Sequence, residues 1–391
     1  MVNDGNFKLE SARGDRPIRS LLVSSDAPST VYGTGRRLAA IHEVLSSLGE
    51  CRTMQLVADP KQHEKSGVDY LGAAEFAQPK SRLGWARYHL TFREFRRDKA
   101  VQECVRAVYR DYPFDLLFCS FFRSSGAACF DLAPCVIDTD AIPEAKSELT
   151  KLVRPVTELY MRRCASLFDG VLAIRESDRR LLAPVESYLL PAMSAKNATP
   201  IAPKADARNL LFVGSTRWRP NEEAALFLAD KLAPAIHKIA PDLMVRLVGE
   251  GTDAIASRPG LSTAGFVDDL KEEYKNALLV LCPIWSGSGA SVKLGEAIQH
   301  GAACAASAYA ASGFETLLAP NGDLMVSASR DEFVKDVCAL AVDHDRIAAF
   351  RARARERASD TLSHARFEAV LVKCVMQSIA GWNNKRASRA A

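Results

Sequence analysis

A strand buried on both faces reads as a short apolar run without alternation, and Leu278-Leu-Val-Leu-Cys282 is the clearest such run in the chain. The small residues Ser286, Gly287, Ser288, Gly289, Ala290 and Ser291 follow almost at once. Residues of that kind let backbone N–H groups crowd around an anion. A helix is predicted from Ser291, a residue type suited to the N-cap, and it carries Lys293 and Glu296 in its first two turns. A helix N-terminus after a glycine loop suits phosphate, and Lys293 adds a point charge. Glu296, one turn further on, can accept hydrogen bonds from a pair of ribose hydroxyls. A plainer reading is a tight strand-to-helix turn with a solvated lysine and glutamate. The rest of the chain adds weight to phosphate.

The same alternation runs through the whole sequence. Arg19–Ser25, Thr53–Ala58, Asp115–Ser120, Cys135–Asp138 and Gly170–Ile174 are predicted strands, with helices over Arg36–Leu48 and Pro155–Phe168 and another opening at Ser177. After Asn209–Ser215, a strand with a glycine turn, Asn221 is expected to cap a helix reaching about Ile239. Leu243–Val248 and Gly301–Ser307 continue the series. Alternation of this kind means doubly wound parallel sheets, an α/β fold. With 391 residues the chain is too long for one core. Two domains are expected, over 17–190 and 208–363, joined by a linker over 191–207 that is rich in Ala, Pro and Lys. Residues 364–391 are expected to form a helix that packs back on the first domain.

Composition narrows the class. The chain is 48% hydrophobic and 25% charged, as soluble globular proteins are. No apolar run approaches the roughly 18 residues that span a bilayer, and Met1–Arg16 lacks a signal peptide, so a cytoplasmic protein is expected. The ten cysteines are scattered singly, as reduced core thiols are. A net charge of +4 says little about partners. Residues 80–111 are less ordinary, since Arg82, Trp85, Arg87, Tyr88, His89, Phe92, Arg93, Phe95, Arg96, Arg97, Lys99, Arg106 and Arg110 lie close together. The pattern is helical. It reads either as an aromatic inner face under a solvated basic face or as a surface that meets anionic lipid headgroups on the inner face of a membrane. No nucleic-acid module accompanies the charge, so nucleic acid is not an expected partner.

Two further places in the first half can hold a ligand. Gly33 and Gly35 lie in the predicted loop between the first strand and the first helix, without the third glycine of a dinucleotide fingerprint. Asp138 and Asp140 follow a strand end, where they serve either as catalytic carboxylates or as loop caps.

The order Phe212-Val-Gly-Ser215, Pro220-Asn221, Val248-Gly249, Gly265-Phe-Val-Asp-Asp269, Pro283, the glycine loop, Lys293-Leu-Gly-Glu296-Ala and Gly301 resembles the nucleotide-sugar-binding domain of glycosyltransferase family 4, over about residues 205–325. The resemblance implies the GT-B fold, two Rossmann-like domains facing a cleft, and retaining transfer from a UDP- or GDP-sugar. It assigns Glu296 to the donor ribose and Lys293 to the diphosphate. Gly214, Ser215 and the loop Gly287–Ala290 line the donor, with Arg217 or Arg219 as the second cation. The pattern departs from the family at Ser288, where a glutamate that touches the donor sugar is usual. Gly33, Gly35, Asp138 and Asp140 fall on the acceptor side, the acceptor being a glycan or lipid-linked glycan. No carboxylate pair lies near the glycine loop, so cations rather than a metal are expected to meet the leaving group, and no cofactor is expected. A catalytically silent sugar-nucleotide binder and a nucleotide-sugar epimerase share this pattern.

Overall fold

The computed structural model describes residues 16–26, 28, 33–57, 70–75, 98–139, 148–192, 199–287 and 291–390. The chain divides into two compact units, one running to Leu190 and resuming at Phe367, the other Pro191–Arg366.

In the first unit β1 (Ile18–Ser24), β2 (Gly49–Val57), β3 (Tyr70–Glu75), β4 (Leu116–Ser120), β5 (Cys135–Asp138), β6 (Gly170–Ala173) and β7 (Tyr188–Leu189) form one sheet. Its order is β3-β2-β1-β4-β5-β6-β7, and every pairing is parallel. The direction of winding reverses between β1 and β4, the switch point at which such sheets take ligands. All five residues of β4 are buried, because the sheet is covered on both faces. One face packs against Val101 and Val105 of α2 (Lys99–Asp111) and Met161, Cys164 and Ala165 of α3 (Glu148–Ala165).

Part of this unit comes from far along the sequence. The long helix Ala390 closes begins at His364, and its residues from Phe367 onward belong here. A Cβ built on Gly170, at the start of β6, would come 2.3 Å from Ser378 Oγ and 2.8 Å from Cys374 Sγ. Trp382 Nε1 donates to Phe130 O at 3.3 Å, and Lys385 pairs with Asp169 at 3.1 Å.

The second unit repeats the plan. β8 (Asn209–Val213), β9 (Met244–Val248), β10 (Leu261–Thr263), β11 (Ala277–Cys282), β12 (Cys304–Ser307) and β13 (Met325–Ser327) lie in the order β10-β9-β8-β11-β12-β13, again all parallel. Winding reverses between β8 and β11. The stretch expected to be a free linker is bonded into this unit from Thr199 on, with Ile201 N–H donating to His300 O and Lys204 N–H to Lys275 O, both at 2.8 Å.

Several local expectations change. Gly33 and Gly35 stand in the first turn of α1 (Gly33–Leu48), not in a loop before it. The helix expected from Ser177 is α4 (Glu176–Leu182), whose N-cap is Arg175. Arg175 and Asp178 form a buried pair at 2.9 Å that fixes this turn. Asn221 does not cap its helix either. Pro220, with its fixed φ and no N–H, stands in the first turn of α5 (Arg219–Phe227), whose N-cap is Trp218, three residues before Asn221. Past Phe227 the helix passes through a π turn at Leu228–Leu232 into α6 (Ala233–Ile239), which carries Pro234, and a short α7 (Lys271–Lys275) precedes β11. A proline supplies no N–H to the preceding turn, and the wider i→i+5 spacing accommodates the loss.

The basic aromatic segment at residues 82–97 lies outside the described residues. Lys99, Arg106 and Arg110 sit on α2, and Arg106 grips Asp131 with two bonds at 2.7 and 2.9 Å. Among the described residues no helix is long and apolar enough to cross a membrane. The ten cysteines are free thiols, and eight of them are buried.

Candidate functional site

The site is built where the second sheet reverses. β8 ends at Val213, and Gly214 turns the chain toward α5. β11 ends at Cys282, and the chain re-enters a helix at α8 (Val292–Gln299). Ser291 caps that helix, its hydroxyl accepting from Leu294 N–H at 3.4 Å. Lys293 and Glu296 are thereby set in the first two turns, as their spacing predicts.

Lys293 is the centre of the arrangement. Its Nζ donates to Asn221 Oδ1 on α5 and stands 4.7 Å from the centre of the Phe212 ring. Asn221 Nδ2 donates to Ser215 O at 2.9 Å, so the amide has its oxygen left for the lysine. Gly214 makes room for both. A Cβ there would come 3.0 Å from Lys293 Nζ and 3.0 Å from the Asn221 amide, tighter than most real contacts. Burial pushes the Lys293 ammonium down to about 8, and the charges of Cys282 and Glu296 offset only part of that. An ammonium in this state gains from an anion brought beside it. Glu296 is buried at 8% exposure, one turn deeper on the same helix.

Backbone hydrogen bonds stitch the neighbouring loops together. Gly214 N–H donates to Val248 O, Thr216 N–H to Glu250 O, and Gly249 N–H to Gly265 O, at 2.7 to 2.9 Å. Gly249 has φ +136° and lies so close to Gly214 that a Cβ would meet its carbonyl oxygen at 2.4 Å. Only glycine fits that approach.

Other residues singled out from the sequence are placed differently. Arg217 pairs with Glu250 at 2.5 Å, and Arg219 with Glu223 at 2.9 Å, all four side chains being exposed. Exposed pairs are weak, so both guanidiniums can exchange partners for a ligand. Gly287 adopts φ +143° and packs on Trp218. Ser288, Gly289 and Ala290 lie outside the described residues.

In the first unit the carboxylate expected as a catalytic group is engaged. Asp138 is fully buried, and its two oxygens accept from Arg37 Nε and Nη2, both at 2.8 Å. Arg37 is 2% exposed and spends a further bond on Leu190 O at 3.0 Å. A base must reach its proton, and among the described residues the side chain that this carboxylate is bonded to is a guanidinium. In this arrangement Asp138 ties the end of β5 to α1; Asp140 lies outside the described residues. Gly35 is buried two residues before Arg37, in the helix that delivers it. Among the described residues no group of three His, Cys, Asp or Glu side chains is placed to hold a metal ion.

Reading the sequence missed Asn221 as the partner of Lys293, and Trp218 altogether. The only signal was their position just after the Gly214 turn.

Two doubly wound parallel sheets of like strand order make up the GT-B fold, the fold of the solved glycosyltransferases that the chain is similar to. More narrowly, residues 207–343 match the family model described as glycosyl transferases group 1. The whole chain is similar in structure to sucrose-phosphate synthase from Thermosynechococcus elongatus, with a TM-score of 0.66 and 16% identity over 96% of this chain and 100% of that one. It is similar to HepE from Anabaena, solved in complex with UDP and glucose, with a TM-score of 0.61 and 13% identity over 91% and 99% of the two chains. MurG from Acinetobacter baumannii gives 0.57 and 12% over 90% and 99%. Identities this low speak for the fold. No curated protein matches the chain in sequence.

Proposed function

We propose that the second unit binds a UDP- or GDP-linked hexose and that the protein transfers the hexose to a hydroxyl of a glycan or lipid-linked glycan. The observation that carries this reading is Lys293, a half-buried ammonium aimed by Asn221 beside the N-terminus of α8 at a sheet switch point. The bond that breaks joins the anomeric carbon to the diphosphate, and the bond that forms joins that carbon to the acceptor oxygen. Negative charge gathers on the leaving diphosphate, where Lys293 and the helix N-terminus stabilise it. The acceptor proton passes to a phosphate oxygen. Because Asp138 is held by Arg37, this route asks for no base on the protein, and it suits retention of configuration. The titles of the HepE structures name UDP, glucose and UDP-glucose, which supports a nucleotide sugar here.

Thermal unfolding with a panel of nucleotide sugars tests binding, since a ligand at 100 times its Kd stabilises by about 2.7 kcal/mol. No protection by any UDP- or GDP-sugar sinks the proposal. Product analysis then tests the chemistry. Turnover is expected to persist in excess chelator, with the donor's anomeric configuration kept; activity lost to chelator and restored by magnesium, or an inverted product, overturns the corresponding part. Donor consumed without acceptor signals an epimerase, and binding without consumption a silent binder.

The acceptor is proposed to lie at an anionic membrane, reached through the basic aromatic residues 82–99. Sedimentation with anionic vesicles should be strong at low salt and weak at high salt, because the attraction is screened. Absence of binding at low salt removes the membrane from the proposal.

A further inference from the structure

We infer that Trp218 recognises the sugar ring of the donor, a role that rests on the nucleotide-sugar reading of this site. Helix α8 fixes the direction in which the donor lies. Glu296 is about 4.5 Å beyond Lys293 along the axis, and Gly287, which comes before the helix in sequence, is linked to Lys293 through Trp218 and Asn221 at the start of α5. With the ribose at Glu296 and the diphosphate at Lys293, the sugar emerges toward Gly287.

Trp218 stands there. A Cβ built on Gly287 would come 3.0 Å from both Cη2 and Cζ2 of the indole, so one edge of the ring rests on the glycine backbone. The φ of +143° at Gly287 keeps that position glycine, and with it the close approach. Yet Trp218 remains 45% exposed, which leaves much of the ring to solvent. It is the N-cap residue of α5, three positions before Asn221, so the same helix end that aims Lys293 also holds the indole. A ring anchored along one edge and open elsewhere offers a flat apolar face to the C–H face of a pyranose. Among the described residues Phe266 is another large exposed aromatic in a loop after a strand of this sheet, 63% exposed in the loop after β10. The order β10-β9-β8-β11 puts it across β8 from Gly287, away from the sugar.

The test compares a nucleoside diphosphate with its sugar conjugate, UDP with UDP-glucose and GDP with GDP-mannose, titrated by calorimetry. Trp218→Ala should weaken the preferred nucleotide sugar about tenfold, the effect of exposing roughly 50 Å² of apolar surface, and leave the nucleoside diphosphate within about twofold. Trp218→Phe should recover most of the loss, and Phe266→Ala should not separate the two ligands. Equal weakening of both ligands by Trp218→Ala, or no weakening of either, overturns the role. A wild-type protein that binds none of the four ligands overturns the nucleotide-sugar reading itself, a failure visible before any variant is made.

Discussion

Lys293→Met is expected to abolish nucleotide binding and at the same time to make the second unit harder to unfold. The ammonium titrates near 8 in the folded protein against an ordinary 10.5, because burial penalises its charge. A shift of that size corresponds to about 3 kcal/mol or slightly more of lost stability below pH 8. Methionine keeps the length and apolar stem and removes the charge, though it leaves Asn221 Oδ1 without its donor, a loss of about 1 kcal/mol. A net gain of about 2 kcal/mol at pH 7 is expected, a few degrees in the melting temperature. The pH dependence has a definite sign. Between 8 and 10.5 the unfolded chain still holds the proton that the folded protein has released, so wild-type stability rises with pH across that window. The variant should lack this rise. Calorimetric melting at pH 7 and 9.5, with nucleotide titration at pH 7, checks both claims. A variant that binds nucleotide as the wild type does would remove Lys293 from the site.

The largest loss of stability is expected at the Arg37–Asp138 pair. Asp138→Asn removes a carboxylate from beside a 2% exposed guanidinium, and Arg37→Met strands a carboxylate with no exposure at all. Breaking a buried pair from one side costs about 3 to 5 kcal/mol, whereas replacing both partners with apolar residues is often close to neutral. Each single variant should therefore lower the urea midpoint sharply. The double variant Arg37→Met/Asp138→Leu should regain much of the loss, less the bond to Leu190 O. An Asp138→Asn protein of unchanged stability but no activity would restore this carboxylate to the chemistry.

These two residues also show what a linear reading can and cannot see. Lys293 and Glu296 were legible because a local pattern fixes them: an apolar strand, small residues, a capping serine and helical spacing all lie within one short stretch. The strand runs were legible for the same reason, since burial on both faces demands unbroken apolar residues. Arg37 and Asp138 are 101 positions apart, and nothing in either neighbourhood announces the other. Asn221 looked like a cap because of its residue type, but Pro220 moved the helix start and turned the amide inward to Lys293. Trp218 carried no pattern at all. Its contact with Gly287 arises only when two loops from adjacent strands meet. Capping rules mark residue types that suit a role; the fold decides which role each one takes.

The chain passes from the first unit to the second after Leu190 and returns at Phe367. During synthesis this has a consequence for order. Pro191–Arg366 is complete as soon as it emerges, whereas the sheet made earlier must wait for Phe367 and the residues after it before Ser378 and Cys374 can close over Gly170. The half of the protein made first is the half finished last, and while the second unit is being translated its predecessor keeps an uncovered apolar face.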